Sequence, residues 1–185
     1  MLVAIDIGNT NILIGIIDSK GLIQNQHRIS TVDLLNKEKS TLIELDNIFN
    51  DLNSISDYNF IIASVVPEAC NHLNHILKEI NISANILSST DKVLGMKIDI
   101  DKPSELGTDR IVNAIAAVDE YKAPLVVIDF GTATTFDIID SDGTYKGGLI
   151  CPGIKLSIKS LNSDTAQLPL VDLKRASTVI GRDTK

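Results

Sequence analysis

Short apolar runs alternate with longer stretches of helical spacing along the chain. Leu2–Ile7 is apolar apart from Asp6 and predicts a strand in the middle of a sheet, covered on both faces. A turn at Gly8-Asn9-Thr10 leads into a second apolar run, Ile12–Asp18. Ser19-Lys20-Gly21 then turns the chain into a third strand, Leu22–Ile29. This succession is an antiparallel meander rather than a strand–helix unit. Asp33–Leu52 carries Leu34, Leu35, Leu42, Leu45, Ile48 and Phe49 at helical spacing, with a break expected between Asn36 and Ser40. Phe60–Val66 predicts another buried strand. Pro67 suits the first turn of a helix running to Ile80, and Ile86–Ser88 a short strand.

The second half begins with a candidate strand, Met96–Ile100. Thr108 is placed to N-cap a helix from Asp109 to Tyr121, with Ile111, Val112, Ile115, Ala116 and Val118 on one face. Leu125–Phe130 then repeats the apolar strand. Ala133–Asp140 pairs with it after a tight turn, Ser141-Asp142-Gly143 makes the next turn, and Tyr145–Ile150 is the third strand. Pro152-Gly153 precedes a helix toward Leu161.

The two halves match at a constant offset. Val3-Ala4-Ile5-Asp6-Ile7-Gly8-Asn9-Thr10-Asn11 aligns with Val126-Val127-Ile128-Asp129-Phe130-Gly131-Thr132-Ala133-Thr134. Each copy is strand, Asp-x-Gly, small polar turn, strand. Duplication of such a unit predicts two similar lobes with a ligand cleft between them. Glycine lets the turn approach an anion, and successive backbone N–H groups form an anion-binding concavity. Asn9, Thr10, Asn11, Thr132 and Thr134 add short donors. The aspartates suit a hydrated cation that neutralises phosphate. One such turn alone is better read as ordinary hairpin chemistry; two aligned copies point to nucleotide phosphate.

Of the 185 residues, 44% are hydrophobic and 22% charged, enough for one domain or two small ones, and the net charge of −7 argues against nucleic acid or an anionic membrane as partner. No apolar run approaches the ~18 residues of a membrane helix, and the N-terminus lacks the charged start of a signal peptide. A soluble cytoplasmic protein is expected. Cys70 and Cys151 match no metal spacing; a buried pair of thiols is the preferred reading, with a disulfide left open. The groupings Lys155/Lys159 and Lys174/Arg175 read as solvated helix faces. His72 and His75 read as helix residues without a third ligand, and no role is given to His27. Asp137 and Asp140 read as strand-end and turn residues, and Ser157, Ser160 and Ser163 show no nucleophile signature.

These residues resemble the actin/hexokinase/Hsp70 superfamily, and within it type III pantothenate kinase. The resemblance rests on Ile5–Asn11, Pro103-Ser104-Glu105-Leu106-Gly107-Thr108-Asp109-Arg110-Ile111-Val112-Asn113-Ala114, Val127–Thr135, Gly147-Gly148-Leu149-Ile150-Cys151-Pro152-Gly153-Ile154 and Ile180-Gly181-Arg182-Asp183-Thr184, in family order. The Gly107–Arg110 block discriminates best. The resemblance implies an α/β fold of duplicated ribonuclease H-like (actin-like) lobes, with mixed sheets flanked by helices. The first lobe would span residues 1–115. The second, residues 116–185, is expected to be incomplete, since the family normally continues past that point.

It also implies ATP-dependent phosphorylation of pantothenate, the first step of coenzyme A biosynthesis, by a homodimer using Mg²⁺ and a monovalent cation, K⁺ or NH₄⁺. Carried over by position, Asp6, Ile7, Gly8, Asn9, Thr10, Asn11, Ile12, Leu13 and Thr132 would contact ATP. Gly107, Thr108, Asp109, Arg110 and Thr184 would contact pantothenate, with Asp109 as the base. Asp129 would hold the monovalent cation, and Asp6 Mg²⁺ through water. Ile100 stands where many members carry tyrosine. Read without the family, Thr108-Asp109 is equally helix-start chemistry and Arg110 equally an ion pair, for instance with Glu105. The alternatives are another phosphotransferase or phosphohydrolase of the superfamily (a sugar or acetate kinase, an exopolyphosphatase), a non-catalytic regulator, or an actin-like filament protein.

Overall fold

The computed structural model describes residues 1–50, 52, 58–174 and 180. The first lobe opens with the expected meander: β1 (Leu2–Ile7), β2 (Asn11–Ile17) and β3 (Ile23–Ser30). β4 (Asn59–Ser64) joins the free side of β1 in parallel, and β5 (Ala84–Ile86) joins β4, giving the order β3-β2-β1-β4-β5. The helical stretch is divided as its spacing suggested, into α1 (Thr31–Leu35) and α2 (Lys39–Asn50). At the break Lys37 takes φ of 56°, a conformation that ends a helix. Ser30 caps α1 by accepting a hydrogen bond from the Asp33 N–H, and Pro67 opens α3 (Pro67–Glu79).

Strand parity sorts the side chains. The pairs Val3↔Ile16, Ile5↔Ile14 and Ile7↔Ile12 face one way. They form the first core with Leu34, Leu45, Phe49, Leu73 and Leu77 from the helices. Each such side chain contributes about 1.5–3 kcal/mol on burial. The opposite parity brings Asp6, Leu13 and Arg28 side by side on β1, β2 and β3, facing the second lobe.

The second lobe holds β6 (Leu125–Phe130), β7 (Ala133–Ile139) and β8 (Tyr145–Pro152), antiparallel in the order β6-β7-β8, with α4 (Thr108–Glu120), which straddles the expected boundary at residue 115, and α5 (Ile154–Ser163). Met96–Ile100 does not form the full strand expected. It meets β8 in a single bridge, Ile98↔Tyr145, flanked by Tyr145 N–H to Lys97 O (2.8 Å) and Asp99 N–H to Tyr145 O (2.9 Å). Leu106, Ile111, Ala114, Ile139 and Tyr145 form the second core. Two further expectations change here. The N-cap of α4 is Gly107, not Thr108. The Thr108 hydroxyl instead donates to Ser64 O (2.9 Å) and accepts from Ser64 N–H (3.0 Å), tying the start of α4 to the end of β4. Strand β6 is also not covered on both faces. It lies at a sheet edge, and Val126, Ile128 and Phe130 are exposed, Phe130 by 71%. Among the described residues the helix that covers this sheet, α4, lies on the other face. The two lobes are the ribonuclease H-like, actin-like arrangement, with the second sheet smaller than the first.

Candidate active site

The two Asp-x-Gly turns meet at one cleft. In the first, Gly8 N–H donates to Asn11 O (3.0 Å), and the Thr31 hydroxyl fixes Gly8 O at 2.7 Å. In the second, Gly131 N–H donates to Ala133 O (2.9 Å), so this turn is one residue tighter. The hydroxyls of Thr10 and Thr132 hydrogen-bond across the cleft at 2.8 Å. Gly153, which caps α5, donates its N–H to Thr132 O at 3.1 Å, and a Cβ there would collide with the carbonyls of Gly131 and Thr132. Only glycine allows that approach.

A cavity of about 420 Å³ is walled by Asp6, Gly8, Asn9, Thr10, Asn11, Leu13, Asp109, Asp129, Gly131 and Thr132, with Arg28 and Asn113. Nearly all the residues expected at the nucleotide therefore converge. Ile7 and Ile12 are the exceptions: their side chains are fully buried in the first core, so only their backbone is on offer. A second cavity, about 560 Å³, adjoins the first through Thr10, Asn11, Arg28, Gly131 and Thr132.

Three carboxylates share the cleft. Asp6 is reached by water at the end of β1, yet protein crowds it. Lost hydration, then the charges of Asp109 and Asp129, push its pKa above the ordinary value. Asp109 lies in the first turn of α4, where its Oδ1 accepts the Arg110 N–H at 2.8 Å. Burial raises its pKa; the Arg110 N–H and charge oppose this, and Asp129 and Asp137 reinforce it. A carboxylate raised in this way is a better proton acceptor than a free one. Gly107 makes room for it, since a Cβ at that position would strike the Asp109 carboxylate.

A model of the type III pantothenate kinase family matches residues 2–185. The chain belongs to this family. It is similar to the type III pantothenate kinases of Agathobacter rectalis (40% identical, all of this chain and 71% of that one) and Paramagnetospirillum magneticum (43%, with the same coverage of 100% and 71%). Two solved structures share the fold at low identity. One is a candidate 2-dehydro-3-deoxygalactonokinase from Sinorhizobium meliloti (TM-score 0.53, 14% identity, 89% of this chain and 58% of that one). The other is the ethanolamine utilization protein EutJ from Carboxydothermus hydrogenoformans (0.51, 16%, 88% and 56%).

Within this family member, the acceptor-side residues are placed less uniformly. Thr108 spends its hydroxyl on Ser64. Arg110 does not pair with Glu105, which binds Lys102 at 2.8 Å. It pairs with Asp137 and lines a smaller cavity, about 360 Å³, with Ile100, Leu106 and Tyr145. Thr184 lies outside the described residues. Asp137 is thus neither a strand-end nor a turn residue but a buried partner in mid-strand. Its signal in the sequence was parity: it alternates with Thr135 and Ile139, positions that face inward. Lys155 and Lys159 are also more than a solvated face, since both line the larger cavity beside the turns; their four-residue spacing on one helix was the available clue. The bland readings stand for His75, whose Nε2 lies 3.5 Å from Glu79 Oε1 on the surface, and for Asp140, which caps its own turn. Cys70 is buried and Cys151 exposed, both as free thiols, so the expected buried pair is corrected.

Proposed function

We propose that the chain transfers the γ-phosphoryl group of ATP to the terminal hydroxyl of pantothenate, giving phosphopantothenate, the first step of coenzyme A biosynthesis. The observation that carries this is the convergence of both Asp-x-Gly turns and Asp109 on one cleft. Phosphoryl transfer needs alignment, charge neutralisation and a proton acceptor. The turns supply backbone and hydroxyl donors for the phosphates. Arg28, Lys155 and Lys159 add positive charge in the adjoining cavity, where the rest of the nucleotide fits. Asp109 takes the hydroxyl proton late in the loose transition state, and Gly107, Thr108, Arg110 and Thr184 bind pantothenate.

Asp129 would hold a monovalent cation, K⁺ or NH₄⁺, and Asp6 would reach Mg²⁺ through water. The donor set fits hard cations, being oxygen throughout, and the mutual repulsion felt by Asp6 is what a cation relieves. Among the described residues no group of three or more His, Cys, Asp or Glu side chains is placed to hold a metal ion. Bound there, the cations neutralise charge on the phosphates. A homodimer and a cytoplasmic location belong to the same reading, and the molar mass by light scattering tests the first. Among the described residues no helix is long and apolar enough to cross a membrane.

The test is ADP release from ATP with pantothenate, compared with sugars, acetate and polyphosphate as acceptors. Pantothenate-dependent release is expected, reduced about 10²–10⁴-fold by Asp109→Asn. Release that another acceptor supports and pantothenate does not would overturn the reading.

A further inference from the structure

Asp137 is 1% exposed, in the middle of β7. A carboxylate survives such burial only when its oxygens are paired. Its Oδ1 accepts from Arg110 Nε (2.7 Å) and the Tyr145 hydroxyl (2.5 Å) and forms an ion pair with Arg110 Nη2 (2.7 Å), and the Thr135 hydroxyl lies 3.5 Å from Oδ2. Tyr145 is itself fully buried, and burial, with Asp137, pushes its hydroxyl's pKa upward, so it stays a donor.

The third wall of this arrangement is Gly148 on β8, opposite Asp137 in register. A Cβ at Gly148 would strike Phe136 O and sit 2.7 Å from Arg110 Nη2. The guanidinium is therefore clasped by a helix, a strand and a hollowed neighbouring strand. Asp137 takes Nε and Nη2, and Nη2 also reaches Phe136 O at 3.4 Å. Among the described residues Nη1 has no partner, and Arg110 lines the cavity that also holds Ile100 and Leu106. An arginine free to swing would lose the fixed orientation of the planar donors that distinguish it from lysine.

We propose that Asp137 is a positioning residue for the phosphoryl acceptor: with Tyr145 it locks the Arg110 guanidinium, whose remaining donors serve the substrate in the cavity lined by Ile100 and Leu106. The inference rests on the reading of Arg110 as a pantothenate contact. It goes beyond that reading by assigning a role to a side chain that touches no substrate.

The experiment is steady-state kinetics of the chain with each substrate varied in turn. Asp137→Asn keeps the shape and removes the charge. It should raise KM for pantothenate about 10–100-fold, as expected for loss of a charge-assisted hydrogen bond, and leave KM for ATP within about twofold. Tyr145→Phe keeps both charges and should raise KM for pantothenate about threefold. It carries the test if Asp137→Asn does not fold. Unchanged pantothenate KM in both variants would overturn the proposal. So would equal rises in both KM values together with a lowered Tm, the signature of a merely structural ion pair. A wild-type chain without pantothenate-dependent ADP release would instead refute the functional reading itself, a result distinct from either.

Discussion

The two Asp-x-Gly hairpins share sequence, strand order and a terminal aspartate in the cleft, yet they are buried differently. In the first copy Ile5 is 2% exposed; its aligned counterpart Ile128 is 48% exposed. The strands are equally apolar. The difference lies in the elements that come next along the chain. After β3 the chain returns through α1, α2 and α3 to cover the β1 face that holds Val3, Ile5 and Ile7. Among the described residues α5 is the one helix after β8, and the β6 face with Val126, Ile128 and Phe130 is exposed. Burial is thus a property of the partner elements, not of the strand that awaits them, whereas the turn chemistry is local and is repeated in both copies.

That contrast can be broken most sharply by paired substitutions. Ile5→Ala should destabilise the fold by about 2–5 kcal/mol, and Ile128→Ala by no more than about 0.5 kcal/mol; denaturant midpoints measure both. Similar losses would mean that the second face is covered in solution.

Glycine substitutions come next. Gly153→Ala forces backbone away from the second turn and should cost about 1–3 kcal/mol and raise KM for ATP. Gly15→Ala in the first copy meets only Ala4 O at 3.9 Å and should be neutral or slightly stabilising in a thermal melt.

The charge in the first copy gives a pH-dependent effect of opposite sign. The pKa of Asp6 is raised in the folded state above 3.8, so the folded protein holds that proton longer than the unfolded chain does. Wild-type stability contributed by this group therefore falls as pH rises from 3.8 through the raised value, and is constant above it. Asp6→Asn should melt higher than wild type at neutral pH, with each kcal/mol worth about 2–4 °C. The difference should vanish in acid, and activity should be lost. A variant that melts lower at neutral pH would show that Asp6 is stabilised by its neighbours rather than repelled.

The smallest effect belongs to the contact joining the copies. Thr10→Val and Thr132→Val should each cost at most about 0.5–1.5 kcal/mol, and the double variant no more than either alone, because both remove one hydrogen bond.

Much of this was legible in the sequence, for physical reasons. Short apolar runs and the Asp-x-Gly repeat marked the strands and both turns, because those signals are local. The Lys37 break and the Pro67 start were legible in the same way. What was not legible depended on pairing across distance. Whether Thr108 would cap its helix or bind Ser64, 44 residues earlier, is decided by where β4 ends. Whether Arg110 would find Glu105 or Asp137 is decided by the sheet that α4 lies against. The open face of β6 could not be inferred from an apolar run that looks the same as its buried twin.

Helix α4 is fastened at its first residue to the end of β4, through Thr108 and Ser64, while Ile111 and Ala114 bed it in the second core. It is a lever attached to one body near its fulcrum and carried along its length by the other. If the second lobe swings about that attachment, displacement grows with distance from it. Asp109, the next residue, travels least. The acceptor end can thus keep its alignment with the first lobe while parts of the second lobe farther from the attachment move.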